Sequence, residues 1–272
     1  MARQLDQELQ RRVTALEVLA QSKTLQLDDL AAFRARAAVL ADSLFPGENV
    51  VLLDANGQLL ASTQSAPGQP LPVRPDMSST HEVFATGRAG VTNLFHGLVS
   101  GRDVVAVDVP VKGFEGTVAV LSISPGLEVF ADMLQRQKLP PGWVAAIFDR
   151  KGITVARTLS PERFVGGLAA EGFLGPLLER SEGIVENRSR EDIPLLSVFS
   201  HGERFGWSVG IGVPTAQLTA PAVDTALRTL GISALLLLLC IGFASLLARQ
   251  ILKRSPCCAG SRFRARKRPM RR

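Results

Sequence analysis

Apolar side chains at Leu5, Leu9, Val13, Leu16 and Leu19 recur at steps of three and four across residues 2–22, the spacing of one helix face. The pattern resumes from Leu25 to Leu44 after a break near Ser22–Thr24. Asp28 or Asp29 is placed to cap this second helix, with Phe33, Ala37 and Leu40 on one face, and Pro46-Gly47 ends it. The period then changes. VVLLDANGQLLAST, residues 50–63, reads as a strand, a tight turn and a second strand. Ninety-five residues later AAIFDRKGITVART, residues 145–158, repeats it, with Asp54/Asp149, Gly57/Gly152, Ala61/Ala156 and Thr63/Thr158 in register. Two matched hairpins in one chain predict two copies of one module.

The same positions invite a catalytic reading, because Asp54 and Asp149 are carboxylates at equivalent places. Their position at the head of a turn favours a structural one. An aspartate there accepts hydrogen bonds from amides two residues on, and Gly57 and Gly152 supply the positive φ that closes the turn.

After the first hairpin the chain runs through a Pro-, Gly- and Ser-rich loop (64–79) and a short helix (80–86) ending at Gly87. Three strands are predicted at 90–95, 103–111 and 117–124, the last two joined through Gly113 and Gly116. The second half predicts short helices from Pro161 and near 168–180, and strands at 184–188, 195–200 and 207–213. Each half ends strand, proline, helix, at Pro125 and at Pro214; proline suits a first helical turn because its missing donor has no partner there. The predicted class is α+β. A long N-terminal helical stalk (2–45) precedes two tandem PAS-like antiparallel modules (46–124 and 142–213) joined by a linker helix (125–141). An exit helix (214–228), in which Pro221 marks a point for a kink, follows.

Residues 229–248, TLGISALLLLLCIGFASLLA, carry no charge. Twenty residues at about 1.5 Å each reach about 30 Å, the thickness of a bilayer core, which predicts a transmembrane helix in contact with membrane lipid. Charge sharpens this. The net +6 comes from residues 249–272, which hold ten Lys or Arg and no Asp or Glu; the remainder carries 21 basic against 25 acidic residues. A basic tail, expected to lack fixed structure, places the C-terminus in the cytoplasm and residues 1–228 outside a bacterial inner membrane. The acidic body weighs against a nucleic-acid partner.

The three cysteines, Cys240, Cys257 and Cys258, lie outside the predicted modules. His81, His96 and His201 show no metal-ligand spacing, and no nucleophile elbow or phosphate loop is present. The expectation is a protein that is not an enzyme and needs no cofactor or metal; a membrane-anchored periplasmic enzyme is the weaker alternative.

PPGWVAAIFDRKGITVARTLSPERFVGG (140–167) and FGWSVGIGVPTAQL (205–218), with the long N-terminal helix, resemble the double Cache sensor domains of bacterial transmembrane receptors of the sensor histidine kinase type. The resemblance covers about residues 2–248. It implies an extracytoplasmic input module that binds a small molecule in the first, membrane-distal module and signals through the exit helix. Such receptors carry a helix before the stalk and an output region after the membrane. The chain departs from that pattern at both ends, and an inactive remnant of a truncated receptor gene is the alternative. It has no tyrosine, so it lacks the tyrosine-bearing amino-acid motif of some double Cache receptors.

Within the first module, strand 103–111 places Val104, Ala106 and Asp108 on one face. A carboxylate in an apolar strand costs several kcal/mol unless paired, so Asp108 demands a partner from the protein or from a ligand. Ser122, Asn93 and Arg88 are the candidates to share its space as ligand-binding residues; a solvated rim position or an internal bond is the alternative for each. The N-terminal helix offers its apolar face either to a homodimer partner or to its own sheets.

Overall fold

The computed structural model describes residues 1–21, 29–66, 68–113 and 116–253, without the side chains of 219–228, 234, 246–248 and 250–253. The break at Ser22–Thr24, the alternative cap Asp28, the Pro221 ring and the basic tail beyond 253 lie outside the described residues. Residues Met1–Ala216 form one compact unit, and Gln217–Arg272 a second.

Two helices open the chain, α1 (Ala2–Ala20) and α2 (Leu30–Leu44). Asp29 caps α2, its Oδ1 accepting from the Ala32 amide at 3.0 Å. The first sheet contains β1 (Asn49–Leu53), β2 (Leu59–Ser62), β3 (Gly90–Val91), β6 (Val107–Gly113) and β7 (Gly116–Ser124), in the order β2-β1-β7-β6-β3. Helix α3 (Ser78–Thr86) covers one face, and a separate ribbon of β4 (Phe95–Gly97) and β5 (Arg102–Val104) lies beside it. Helix α4 (Leu127–Gln135) leads to the second sheet, built from β8 (Val144–Phe148), β9 (Thr154–Arg157), β10 (Glu182–Arg188), β11 (Pro194–His201) and β12 (Ser208–Pro214). Its order, β10-β11-β12-β8-β9, is the first sheet's order read from the other end. Helices α5 (Pro161–Phe164) and α6 (Glu171–Glu179) lie between β9 and β10, and α7 (Thr215–Lys253) follows β12 directly.

The hairpins match atom for atom. Asp54 Oδ1 accepts from the Asn56 and Gln58 amides, and Asp149 Oδ1 from those of Lys151 and Ile153, all at 2.9 Å. Gly57 and Gly152 sit at φ +81° and +76°. Both inner strands break register at the same place, between Leu52 and Leu53 and between Ile147 and Phe148. Thr63 and Thr158 close both hairpins by accepting, through Oγ1, from the amides of Val50 and Ala145.

Two predicted strands are broken in the structure. Residues 90–95 divide into β3 and β4, and 103–111 into β5 and β6, so that β4 and β5 pair with each other. Val104, Val105, Ala106 and Val107 are all buried. An apolar run buried on both sides of a bend carries no mark of the bend in its alternation.

Helix α1 lays Leu5, Leu9, Val13 and Leu16 into the core with no exposed surface, beside Val107, Val109 and Leu121 of the first sheet. The same core takes in Ile147 and Val155 of the second sheet and Trp207 just before β12, with the Phe130 ring of α4 packed at 5.4 Å from the Trp207 ring. Burying each such side chain is worth about 1.5–3 kcal/mol. Of the two uses read for the apolar face of α1, packing on its own sheets is the one this core shows.

Residues 229–248 lie within α7, whose Leu230, Leu237 and Phe243 are exposed, yet among the described residues no helix is long and apolar enough to cross a membrane.

Candidate functional site

The first sheet divides its side chains by the period of two. Val50 and Leu52 of β1, with Ala119, Leu121 and Ile123 of β7, face the core that holds α1. Val51, Leu53 and Val120 face the other way and meet Val83 of α3. Asp108 and Ser122 are directly paired across β6 and β7 and turn toward α3.

There the partner demanded by Asp108 is found. Arg74, from the loop before α3, donates through Nη1 to Asp108 Oδ1 at 3.0 Å and Oδ2 at 2.9 Å, and to Thr80 Oγ1 at 3.0 Å. Its Nη2 donates to Ser122 Oγ at 2.6 Å. The Ser122 and Thr80 hydroxyls donate onward to Asp108 at 2.6 and 2.8 Å. Asp108, Ser122 and Thr80 have no exposed surface, and Arg74 retains 6 %. Every oxygen of the carboxylate is satisfied, the condition under which a buried pair survives its loss of water.

Asn93 and Arg88 do not join this cluster. Asn93 is buried between β3 and β4 with its Oδ1 unpartnered among the described residues. Arg88 is exposed beyond α3 and lines a groove with Glu17, Lys112 and Glu203. Arg74 was not among the predicted residues, although the repeat carries a signal for it. The Arg74 amide donates to Gly57 O at 2.8 Å, and the Ala169 amide to Gly152 O at 2.9 Å, so the ninety-five-residue offset holds beyond the hairpins and pairs Arg74 with Ala169.

Arg74 also forms part of the wall of a cavity of ≈ 50 Å³ on this face of the sheet. The loop contributes Pro72 and Val73, the β4–β5 ribbon Phe95, Ser100 and Arg102, and the strands Asn49, Val51, Leu59 and Ser124. The Phe95 ring centre is 5.6 Å from the Arg74 guanidinium carbon, within cation–π range. No Asp or Glu lines the space among the described residues. Arg102 is half exposed, and its nearest acid, Glu128, stands 3.9 Å away. The cavity therefore offers one neutralised cation, one available cation and apolar walls.

The second hairpin reaches this region. Arg150 donates through Nη2 to Ser79 Oγ on α3 and to Val91 O at 2.9 Å, and pairs with Glu82 at 3.2 Å. Asp149, whose Oδ1 holds its own turn, accepts from the Leu94 amide on Oδ2 at 3.0 Å. Helix α3 is thus held at Thr80 by the buried cluster and at Ser79 and Glu82 by the second half of the unit.

No nucleophile–base pair is assembled by the histidines. His96 Nδ1 meets Asp103 Oδ1 at 3.1 Å on the surface, His201 Nε2 lies 2.7 Å from Leu177 O, and His81 is exposed. Among the described residues no three His, Cys, Asp or Glu side chains stand together as a metal site.

No family model and no curated protein sequence matches the chain. Solved structures do match. The extracellular domain assigned to a histidine kinase, rpHK1S-Z16, superposes with a TM-score of 0.61 at 18 % identity, covering 80 % of this chain and 95 % of that one. The ligand-binding domain of the Pseudomonas fluorescens chemoreceptor CtaA, in complex with L-isoleucine, gives 0.58 at 15 % identity over 80 % and 90 %. The sensor domain of the V. cholerae histidine kinase DctB gives 0.56 at 11 % over 77 % and 91 %. The fold is that of the double Cache-like extracellular sensor domains of histidine kinases and chemoreceptors.

Proposed function

We propose that the chain is the extracytoplasmic input module of a membrane receptor and that the first sheet's cavity takes a short-chain carboxylate. The observation that carries this reading is the charge of the wall. Arg102 meets only Glu128, at 3.9 Å and with both side chains exposed, Arg74 is neutralised by Asp108 beneath it, and among the described residues no free carboxylate lines the space to receive an ammonium group. CtaA, which shares the fold, is solved with L-isoleucine and L-leucine. Here the acid-free lining favours a simple carboxylate over an α-amino acid. The volume of ≈ 50 Å³ is room for about three to five water-sized groups. Val51, Leu59 and Phe95 supply the apolar contact for the carbon chain.

Transmission follows from how α3 is held. A ligand beside Arg74 acts on the cluster that fixes Thr80, and Ser79 on the same helix is bonded to Arg150 of the second hairpin. Occupancy then shifts the populations of two arrangements of α3 in proportion to the ligand's differential affinity for them. The strand β12 runs into α7, the route to the membrane. The membrane anchor and the outward location of the unit rest on the uncharged stretch 229–248 and the basic residues that follow it. The chemistry is binding without turnover.

Titration calorimetry of the whole chain in detergent with acetate, propionate, butyrate and leucine tests this. A short carboxylate binds, leucine binds more weakly, and Arg102→Ala weakens the carboxylate by roughly tenfold or more, the worth of a charge-assisted hydrogen bond. Binding of leucine in preference to every simple carboxylate overturns the assignment.

A further inference from the structure

The second sheet holds a cavity of its own, also ≈ 50 Å³, and its chemistry is redistributed. The strand registers align the two halves residue by residue. Ser122 lies opposite Val51 and Asp108, while Gly210 lies opposite Ala146 and Phe199. Arg74, Asp108 and Ser122 therefore correspond to Ala169, Phe199 and Gly210. The buried ionic cluster has become the apolar cluster of Ala146, Phe148, Ala169, Phe173, Leu177 and Phe199.

At the other end of the cavity the change is reversed. Ser62 of the first hairpin corresponds to Arg157, which is 8 % exposed and lines the space. Its Nη2 donates to Glu191 Oε2 at 2.6 Å, but its Nε and Glu191 Oε1 are buried without hydrogen-bond partners among the described residues. Three guanidinium groups surround the Phe164 ring, Arg157 at 4.8 Å, Arg163 at 5.0 Å and Arg190 at 5.2 Å from its centre. The pair with Glu191 offsets one of them. Burial, and after the opposing pull of Glu191 the charge of Arg190, draw the Arg157 pKa down. Ser197, which donates to Asn187 Oδ1 at 2.6 Å, lines the same space.

We propose that this second cavity is a ligand site in its own right and takes a short-chain carboxylate. The oxygens meet Arg157 and Arg190, and the carbon chain lies on the walls formed by Val144, Phe148 and Leu195. The orphaned donor of a buried arginine selects the anionic group, and the apolar walls select an organic anion over a fully hydrated inorganic one. The proposal does not depend on occupancy of the first cavity.

Equilibrium dialysis of the intact chain in detergent against radiolabelled propionate decides it. Two molecules bind per chain, and Arg102→Ala leaves one at propionate concentrations that no longer fill the weakened first cavity. Adding Arg157→Gln with Glu191→Gln, which removes both buried charges together, abolishes the remaining one. Arg190→Ala, a surface change that leaves the core intact, weakens it by roughly tenfold. Inorganic phosphate in excess leaves the label in place. Complete loss of binding in Arg102→Ala, or binding in that background undiminished by both the Arg157/Glu191 and Arg190 changes, overturns the second site. Displacement by phosphate overturns the choice of an organic carboxylate.

Discussion

Replacing Asp108 by alanine removes the acceptor on which Arg74, Thr80 and Ser122 converge. Arg74 is left as a buried cation with only hydroxyl partners, in a site that retains 6 % of its surface. Breaking a buried pair from one side costs about 3–5 kcal/mol, because the abandoned charge keeps its desolvation penalty. In a unit of this size about 1 kcal/mol moves the melting temperature by roughly 2–4 °C, so a fall of about 6–20 °C is expected. The companion variant, Arg74→Met with Asp108→Leu, removes both charges and fills the space with apolar atoms, which in such clusters is often neutral or better. Thermal unfolding followed by circular dichroism, run on wild type, Asp108→Ala, Arg74→Met, Asp108→Leu and the double variant, gives the coupling between the two residues from the last three and wild type. If Asp108→Ala melts within about 2 °C of wild type, or the double variant is no more stable than the single, the buried pair does not hold the loop before α3, and the account of the cavity wall fails with it.

Three further outcomes follow from the same geometry. Gly152→Ala places a Cβ 2.3 Å from Leu174 Cδ1 at φ +76°, and chemical denaturation should show a loss of at least about 1–3 kcal/mol. Arg150→Ala removes the bonds to Ser79 and Val91 O, and hydrogen exchange at α3 should accelerate while the second sheet's strands stay protected, a loss of about 1–3 kcal/mol confined to α3. Acid sensitivity should be carried by Asp76 and Glu8. Hydrogen bonds from Ser78 lower the Asp76 pKa, and for Glu8 the bonds and charges of Arg12 and Arg11 outweigh the upward push of burial. Both folded pKa values lie below the unfolded ones, so the stability is present above the unfolded carboxylate range and is lost as pH falls through the folded values. Asp76→Asn and Glu8→Gln should flatten the decline below about pH 5. Burial raises Glu48, whose contribution has the opposite sign and diminishes as pH rises.

The hairpins were legible because everything that fixes them is local. Asp54 and Gly57 need only the five residues between the strands, and the same holds for Asp149 and Gly152. The need for a partner at Asp108 was also legible, since a carboxylate among valines announces its cost. The identity of that partner was not. Arg74 lies in a loop whose prolines and glycines suppress any period, and it meets Asp108 across 34 residues. Arg88 and Asn93 are near Asp108 in the strand order, but the bend that splits β3 from β4 carries Asn93 off the sheet, and Arg88 leaves on the opposite side of α3. The apolar stripe of α1 was read as a surface of uncertain use because periodicity reports that a face is buried without saying against what.

Asp149 is one carboxylate with two employers. One oxygen holds the Lys151 and Ile153 amides of its own turn, and the other holds the Leu94 amide of the first half. Asp54, at the matching place, has only the first task among the described residues. An asparagine keeps one acceptor oxygen and turns a donor toward whichever amide it abandons, so the substitution tolerable at 54 forces a choice at 149. Two halves that began as copies have become unequal at this atom. The first can change its turn privately, whereas the second cannot change without its neighbour registering it.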